Sequence, residues 1–241
     1  MWPFVTCHTP YMLQRRAARG WLIAYGLLAA LNVIGGFLDL EELRTITKPF
    51  LMPVLLGFFV ASLGGLHHPL ATWVKRALMF SWAGDVLLMG EGDLFFMAGI
   101  AGFLGAQICY IIAFRPFTVL GPLRTRPWLA LPYVGYGIGL VALLAPDLGA
   151  LLVPVMVYAA ALVIMAVLAT GVSPVTAVGA VLFLVSDSLI ALTELSDRLP
   201  DGAGTWIMPT YVVGQLLIVL GVLQNLGRWT GVRAKAHHIR G

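Results

Sequence analysis

The chain has 241 residues, of which 60% are hydrophobic and 11% charged, and it carries a net charge of +4 with a mean hydropathy of +0.92. That composition excludes a soluble globular domain, a disordered chain, a collagen-like repeat and a nucleic-acid module, and identifies an integral membrane protein. At about 20 apolar residues per crossing, eight crossings fill the chain and leave no room for a separate soluble catalytic domain.

Apolar runs bounded by charges, Pro and Gly predict an all-α bundle of eight transmembrane helices, at about 21 to 38, 49 to 66, 76 to 90, 94 to 114, 128 to 145, 148 to 169, 174 to 195 and 206 to 226. The chain then reads as one transmembrane domain over 1–241: a basic segment to residue 20, the bundle over 21–226 and a basic tail over 227–241. The first run follows Arg15, Arg16 and Arg19 and has no small-residue cleavage pattern, so it is expected to be a retained span. Cys7 precedes that span and Cys109 falls within the fourth, placements that suggest no disulfide framework.

Loop charges set the expected orientation. With both termini cytoplasmic, inner segments hold 12 of the 15 basic residues: Arg15, Arg16, Arg19, Lys75, Arg76, Arg115, Arg124, Arg126, Arg228, Arg233, Lys235 and Arg240. Outer loops hold Arg44, Lys48 and Arg198, together with nine of the 11 acids: Asp39, Glu41, Glu42, Glu91, Asp93, Asp147, Glu194, Asp197 and Asp201. The expected location is the inner (cell) membrane of a bacterium.

The two remaining acids, Asp85 and Asp187, fall inside helices three and seven, in the related strings Phe80-Ser-Trp-Ala-Gly84-Asp85 and Phe183-Leu-Val-Ser186-Asp187. Pro53 and Pro154 in helices two and six, and Gln107 and Gln215 in helices four and eight, pair in the same way, at offsets of 101, 102 and 108 residues. This predicts a 4+4 parallel repeat about an axis along the membrane normal, with chance similarity among apolar helices as the simpler explanation. Counted at 1.5 Å per residue, Asp85 stands ~9 Å below Glu91 and Asp187 ~10 Å below Glu194, in the outer half of the bilayer.

A carboxylate in hydrocarbon costs at least about 2.5 kcal/mol, so two of them mark a candidate site unless each merely caps a neighbouring helix. With no cation expected beside them, two neighbouring carboxyls cannot comfortably both ionise, and one keeps its proton. The pair then supplies an acid and an anion. Candidate substrate-binding residues are Ser81, Gln107, Tyr110, Tyr158, Ser186, Tyr211 and Gln215, each with an interhelical hydrogen bond as its simpler role. Lys48, before Pro49 at the outer start of helix two, is suited to a lipid phosphate or to snorkelling. His67 and His68 in an inner loop, and His237 and His238 in the tail, have no Cys or Glu beside them; no metal or other cofactor is expected. Gly35-Gly36 and Gly135-x-Gly137-x-Gly139 lack the strand-turn-helix context of a nucleotide loop and are expected to permit close helix packing.

Taken together, Lys48-Pro49, Ala77-Leu-x-Phe80-Ser81-x-x-Gly84-Asp85-x-Leu-Leu, Phe103-Leu with Tyr110 and Phe114, Pro154-Val155-x-x-Tyr158, Gly179-Ala180-x-Leu-Phe183-x-x-Ser186-Asp187 and Tyr211-x-x-x-Gln215-Leu resemble the YhhN family of eight-span membrane proteins, over about residues 48 to 220. The characterised members are lysoplasmalogenases, that is, alkenylglycerophospholipid hydrolases. The resemblance implies a lysophospholipid substrate with a vinyl ether, membrane lipid as surroundings and no nucleic-acid partner, with a fatty aldehyde and a glycerophospho-alcohol (choline or ethanolamine) as products. Asp85 and Asp187 would protonate the alkenyl carbon, stabilise the resulting cation and orient water. One departure is Gln107, which stands where members often carry His; it can hydrogen-bond but cannot titrate. A proton-coupled transporter using the two aspartates and a noncatalytic lipid-binding protein are the competing expectations.

Overall fold

A computed structural model describes residues 11–120, 124–196, 198–200 and 202–238, with side chains over 16–118 and 124–227 apart from 197 and 201. Cys7, Asp197, Asp201 and Arg240 lie outside the described residues, as do the side chains of Arg15, Arg228, Arg233, Lys235, His237 and His238. The described residues form helices and no strand: α1 (Tyr11–Phe37), α2 (Glu41–Leu63), α3 (Pro69–Leu87), α4 (Asp93–Phe114), α5 (Leu131–Leu148), α6 (Leu152–Ala169), α7 (Pro174–Leu195) and α8 (Ile207–His238). Six helical stretches are long and apolar enough to cross a membrane, and the stretch over 127–169 contains both α5 and α6. The remaining helix, α3, carries Lys75, Arg76 and Asp85 and falls outside that set.

Local chemistry explains where several helices begin. Ser173 accepts from the Thr176 amide at 3.1 Å and Pro174 opens α7, an N-cap followed by the residue best suited to the first helical position. His68 does the same for α3, its Nδ1 accepting from the Leu70 amide at 3.1 Å ahead of Pro69.

Helix α2 starts at Glu41 rather than near residue 49. Two acids in the first turn complement the positive end of the helix, which lets polar sequence join the helix ahead of the apolar run. Lys48 is therefore about two turns inside α2, not at its start. Pro49 and Pro53 both lie within this helix. Because Pro53 has no N–H, the Pro49 carbonyl loses its helical donor, and Trp82 of α3 supplies one through Nε1 at 3.0 Å.

The closest interhelical packing joins α1 to α2, α3 to α4 and α7 to α8. Small residues permit it, as lipid-embedded helices associate by van der Waals contact rather than by expulsion of water. A β-carbon at Gly102 of α4 would stand 2.9 Å from the Gly84 backbone nitrogen of α3, and one at Gly179 of α7 would stand 2.6 Å from the Ile218 nitrogen of α8. In the Gly135-x-Gly137-x-Gly139 run only Gly137 faces a close neighbour, Val163 of α6. Buried Phe59, Phe114, Phe183, Leu55 and Met165 belong to one apolar core. The paired phenylalanines of the two aspartate strings differ in setting: Phe183 is buried, whereas Phe80 is exposed.

Candidate active site

Asp85 and Asp187 are both buried, 2% and 4% exposed, and lie close enough for their charges to interact. Asp85 Oδ2 accepts from the Tyr211 hydroxyl at 2.7 Å. Asp187 Oδ2 accepts from Gln107 Nε2 at 3.0 Å and from the Tyr158 hydroxyl. Between these two arms, Gln215 accepts from the Tyr110 hydroxyl at 2.6 Å and donates to Ser81 at 3.0 Å. Helices α3, α4, α6, α7 and α8 thus meet through hydrogen-bonded side chains, which constrains their geometry.

The partners run crosswise. Gln107 of α4 reaches Asp187 of α7, while Gln215 of α8 reaches Ser81, one turn before Asp85 of α3. Phe103, Phe183 and Tyr211 pack among these arms, with the Tyr211 ring centroid 5.9 Å from Phe103 and 5.8 Å from Phe183. Gly84 admits the Phe103 ring, since a β-carbon there would meet it at 2.7 Å.

The two carboxyls have different surroundings. Lys48 of α2 is near enough to interact electrostatically with Asp85, though the two form no ion pair, so the expectation of an acid pair without any cation needs correction to that extent. Asp187, in contrast, lines an apolar cavity with Tyr158, Phe96, Phe103, Pro154 and Ile190. Its Oδ1 is buried and has no hydrogen-bond partner, and neither has Gln107 Oε1. A buried oxygen without a donor is costly unless it carries a proton or meets a ligand.

Phe96, Met97, Leu151, Ile190 and Leu195 are shared between this apolar cavity and a larger one. The larger one is lined by Arg44, Lys48, Asp93 and Glu194 among others. Leu195, at the junction, is two turns along α7 from Asp187, about 12 Å at the helical rise. A cavity lined by charged side chains therefore adjoins an apolar one that the Asp187 carboxyl lines. Among the described residues no group of three His, Cys, Asp or Glu side chains could hold a metal ion.

Of the expected site residues, the structure brings Ser81, Asp85, Gln107, Tyr110, Tyr158, Asp187, Tyr211 and Gln215 into one region, with Lys48 at its outer edge. Ser186 points elsewhere and donates to the Ile207 carbonyl at 3.0 Å, joining α7 to the start of α8. Arg44, Asp93 and Glu194 have, in the sequence, the charge pattern of ordinary loop residues that mark topology. Their one available signal was proximity in sequence to the outer ends of the helices that carry Lys48, Gln107 and Asp187.

The YhhN family profile matches residues 43–222, a range that contains every member of this network. The chain belongs to the YhhN family. Among its relatives, lysoplasmalogenase TMEM86A of Bos taurus is 33% identical over 189 residues, covering 73% of each chain. Lysoplasmalogenase TMEM86B of Homo sapiens is 33% identical over 161 residues, covering 63% of this chain and 64% of its own. The lysoplasmalogenase of Mycobacterium bovis is 36% identical over 167 residues, covering 64% of this chain and 62% of its own. No solved structure matches the chain. YhhN membership thus links relatives from mammals and mycobacteria to one chain in which the two buried aspartates belong to neighbouring hydrogen-bonded sets.

Proposed function

We propose that this YhhN protein is a lysoplasmalogenase-like hydrolase, cleaving the vinyl ether of a lysoplasmalogen to a fatty aldehyde and a glycerophospho-alcohol. The observation that carries the proposal is Asp187, a buried carboxyl whose Oδ1 has no hydrogen-bond partner and which lines an apolar pocket adjoining a charged vestibule. The names of the relatives support the same chemistry.

The surroundings divide the roles. Asp187 is the acid: Oδ1 holds the proton, and Oδ2, as the carbonyl oxygen, accepts from Tyr158 and Gln107. Asp85, which accepts from Tyr211 and lies within electrostatic reach of Lys48, is the standing carboxylate. Its charge favours a protonated Asp187 and stabilises positive charge developing nearby.

The Oδ1 proton passes to the second carbon of the alkenyl chain, where the π pair forms the new C–H bond. The first carbon becomes an oxocarbenium ion. Water then bonds to that carbon and yields its proton to the Asp187 carboxylate. The resulting hemiacetal collapses, breaking the bond between the first alkenyl carbon and the glycerol oxygen, which takes up a proton as the aldehyde carbonyl forms. One water is consumed and no oxidation state changes overall. Tyr158 and Gln107 strengthen their hydrogen bonds as Asp187 becomes anionic, so they favour the transition state over the ground state.

Within this reading all eight helices cross the membrane, the segment over 1–241 is a single domain, and both termini are cytoplasmic in a bacterial inner membrane. The crosswise bonds from α4 to α7 and from α8 to α3 support a parallel 4+4 arrangement. The test is incubation of purified protein with a lysoplasmalogen and with its saturated ether analogue. Aldehyde is expected from the unsaturated lipid alone; no aldehyde from either lipid overturns the proposal.

A further inference from the structure

The charges of the vestibule are arranged in an unusual way. Arg44 and Lys48 on α2 and Asp93 and Glu194 at the outer ends of α4 and α7 line one cavity. Yet no ion pair forms within this set of four, in contrast to Arg198 and Asp147, which pair at 2.8 Å. Two positive and two negative side chains thus share a cavity without neutralising one another in contact. Glu194 is also badly placed for its own helix, since the last turn of α7 favours a cation rather than an anion. Asp93, in the first turn of α4, is locally favoured and still faces the same space.

The position of Arg44 is built rather than incidental. Its stem lies over Gly35 and Gly36 of α1, where a β-carbon at Gly35 would come within 3.2 Å of Arg44 Cγ. The glycine pair therefore clears a path for this side chain along the α1–α2 hairpin, and Lys48 follows one turn further in on the same helix.

We infer that the vestibule is a zwitterion-selecting headgroup site, in which Arg44 and Lys48 hold the phosphate of a single-chain phospholipid and Asp93 and Glu194 hold its ammonium group. The inference rests on the hydrolase reading for the direction of the chain, which enters the apolar pocket toward Asp187. A separated cationic pair and anionic pair match both ends of a phosphoethanolamine or phosphocholine head. An anionic phosphoglycerol head satisfies Arg44 and Lys48 but meets two carboxylates with nothing to neutralise them, a desolvation and repulsion cost that discriminates against it.

The experiment compares vinyl-ether lysolipids of one chain length bearing phosphoethanolamine, phosphocholine or phosphoglycerol, in the wild type, in the Asp93→Asn, Glu194→Gln double variant, and in Glu194→Lys. Displacement of a fluorescent lysolipid by the matching saturated ethers reads head preference without turnover. The double variant is expected to lose about ten-fold or more in affinity for the zwitterionic heads relative to phosphoglycerol, and Glu194→Lys is expected to shift preference toward phosphoglycerol. Retained binding of phosphoglycerol lipid reports that each variant is folded. Equal losses for all three heads, or no change in their ranking, overturn the inference. If no vinyl ether yields aldehyde the hydrolase reading falls, while head preference is still decided by displacement.

Discussion

Replacing Tyr158 by phenylalanine removes one hydroxyl and little volume, and that hydroxyl donates to Asp187 Oδ2. The remaining donor to this oxygen is Gln107 Nε2, at 3.0 Å. In the proposed reaction Oδ2 gains negative charge as the Oδ1 proton leaves, so the lost bond matters most at the transition state. A hydrogen bond to a charged group contributes roughly 1.5 to 3 kcal/mol, which at about 1.36 kcal/mol per decade corresponds to a fall of roughly 10- to 150-fold. The fall belongs in kcat, because the tyrosine stabilises the ionising acid more than the bound lipid. The assay is steady-state aldehyde release from a lysoplasmalogen, with the variant's extraction and thermal unfolding measured alongside. Wild-type kcat in Tyr158→Phe, or a loss confined to KM, refutes the role given to this residue.

Asp187→Asn and Asp85→Asn are each expected to lower aldehyde release by about 100-fold or more while leaving the protein extractable, as judged by size-exclusion chromatography. Gln107→Ala should lower kcat by an amount similar to Tyr158→Phe, and the double variant by less than the product of the two, since both act on one oxygen; a double-mutant cycle measures this. Gly102→Ala sets a β-carbon against the α3 backbone and should destabilise the fold by about 1 to 3 kcal/mol, read as a lower unfolding midpoint in detergent. Trp82→Phe leaves the Pro49 carbonyl without its indole donor and should cost roughly 0.5 to 1.5 kcal/mol in the same measurement.

Much of the helix order was legible because apolar runs of membrane length are the strongest pattern a sequence can carry, and the turns between them hold Gly, Pro and charge. Helix ends were less so. The start of α2 lies among Glu41, Glu42 and Arg44, residues that read as loop by hydropathy yet suit the first turn of a helix by charge. The aspartates stood out because ionisable groups in apolar runs are rare. Their partners were visible by type, as Tyr158, Tyr211 and Gln107, but the crosswise pairing depends on how five helices meet, which no local pattern encodes. Gln107 illustrates this: the sequence shows an amide within an apolar run, and the structure shows that amide donating to Asp187. The vestibule was the least legible feature, because Arg44, Asp93 and Glu194 have the same charge signature as ordinary interfacial residues until tertiary packing places them around one cavity.

Proton delivery to carbon by Asp187 is the central claim, and turnover in D2O with immediate reduction of the aldehyde to its alcohol tests it most directly. The account predicts one deuterium on the carbon next to the former carbonyl, placed on a single face of that carbon by an acid fixed within the pocket. Product without deuterium there, or with deuterium spread equally over both faces, contradicts it.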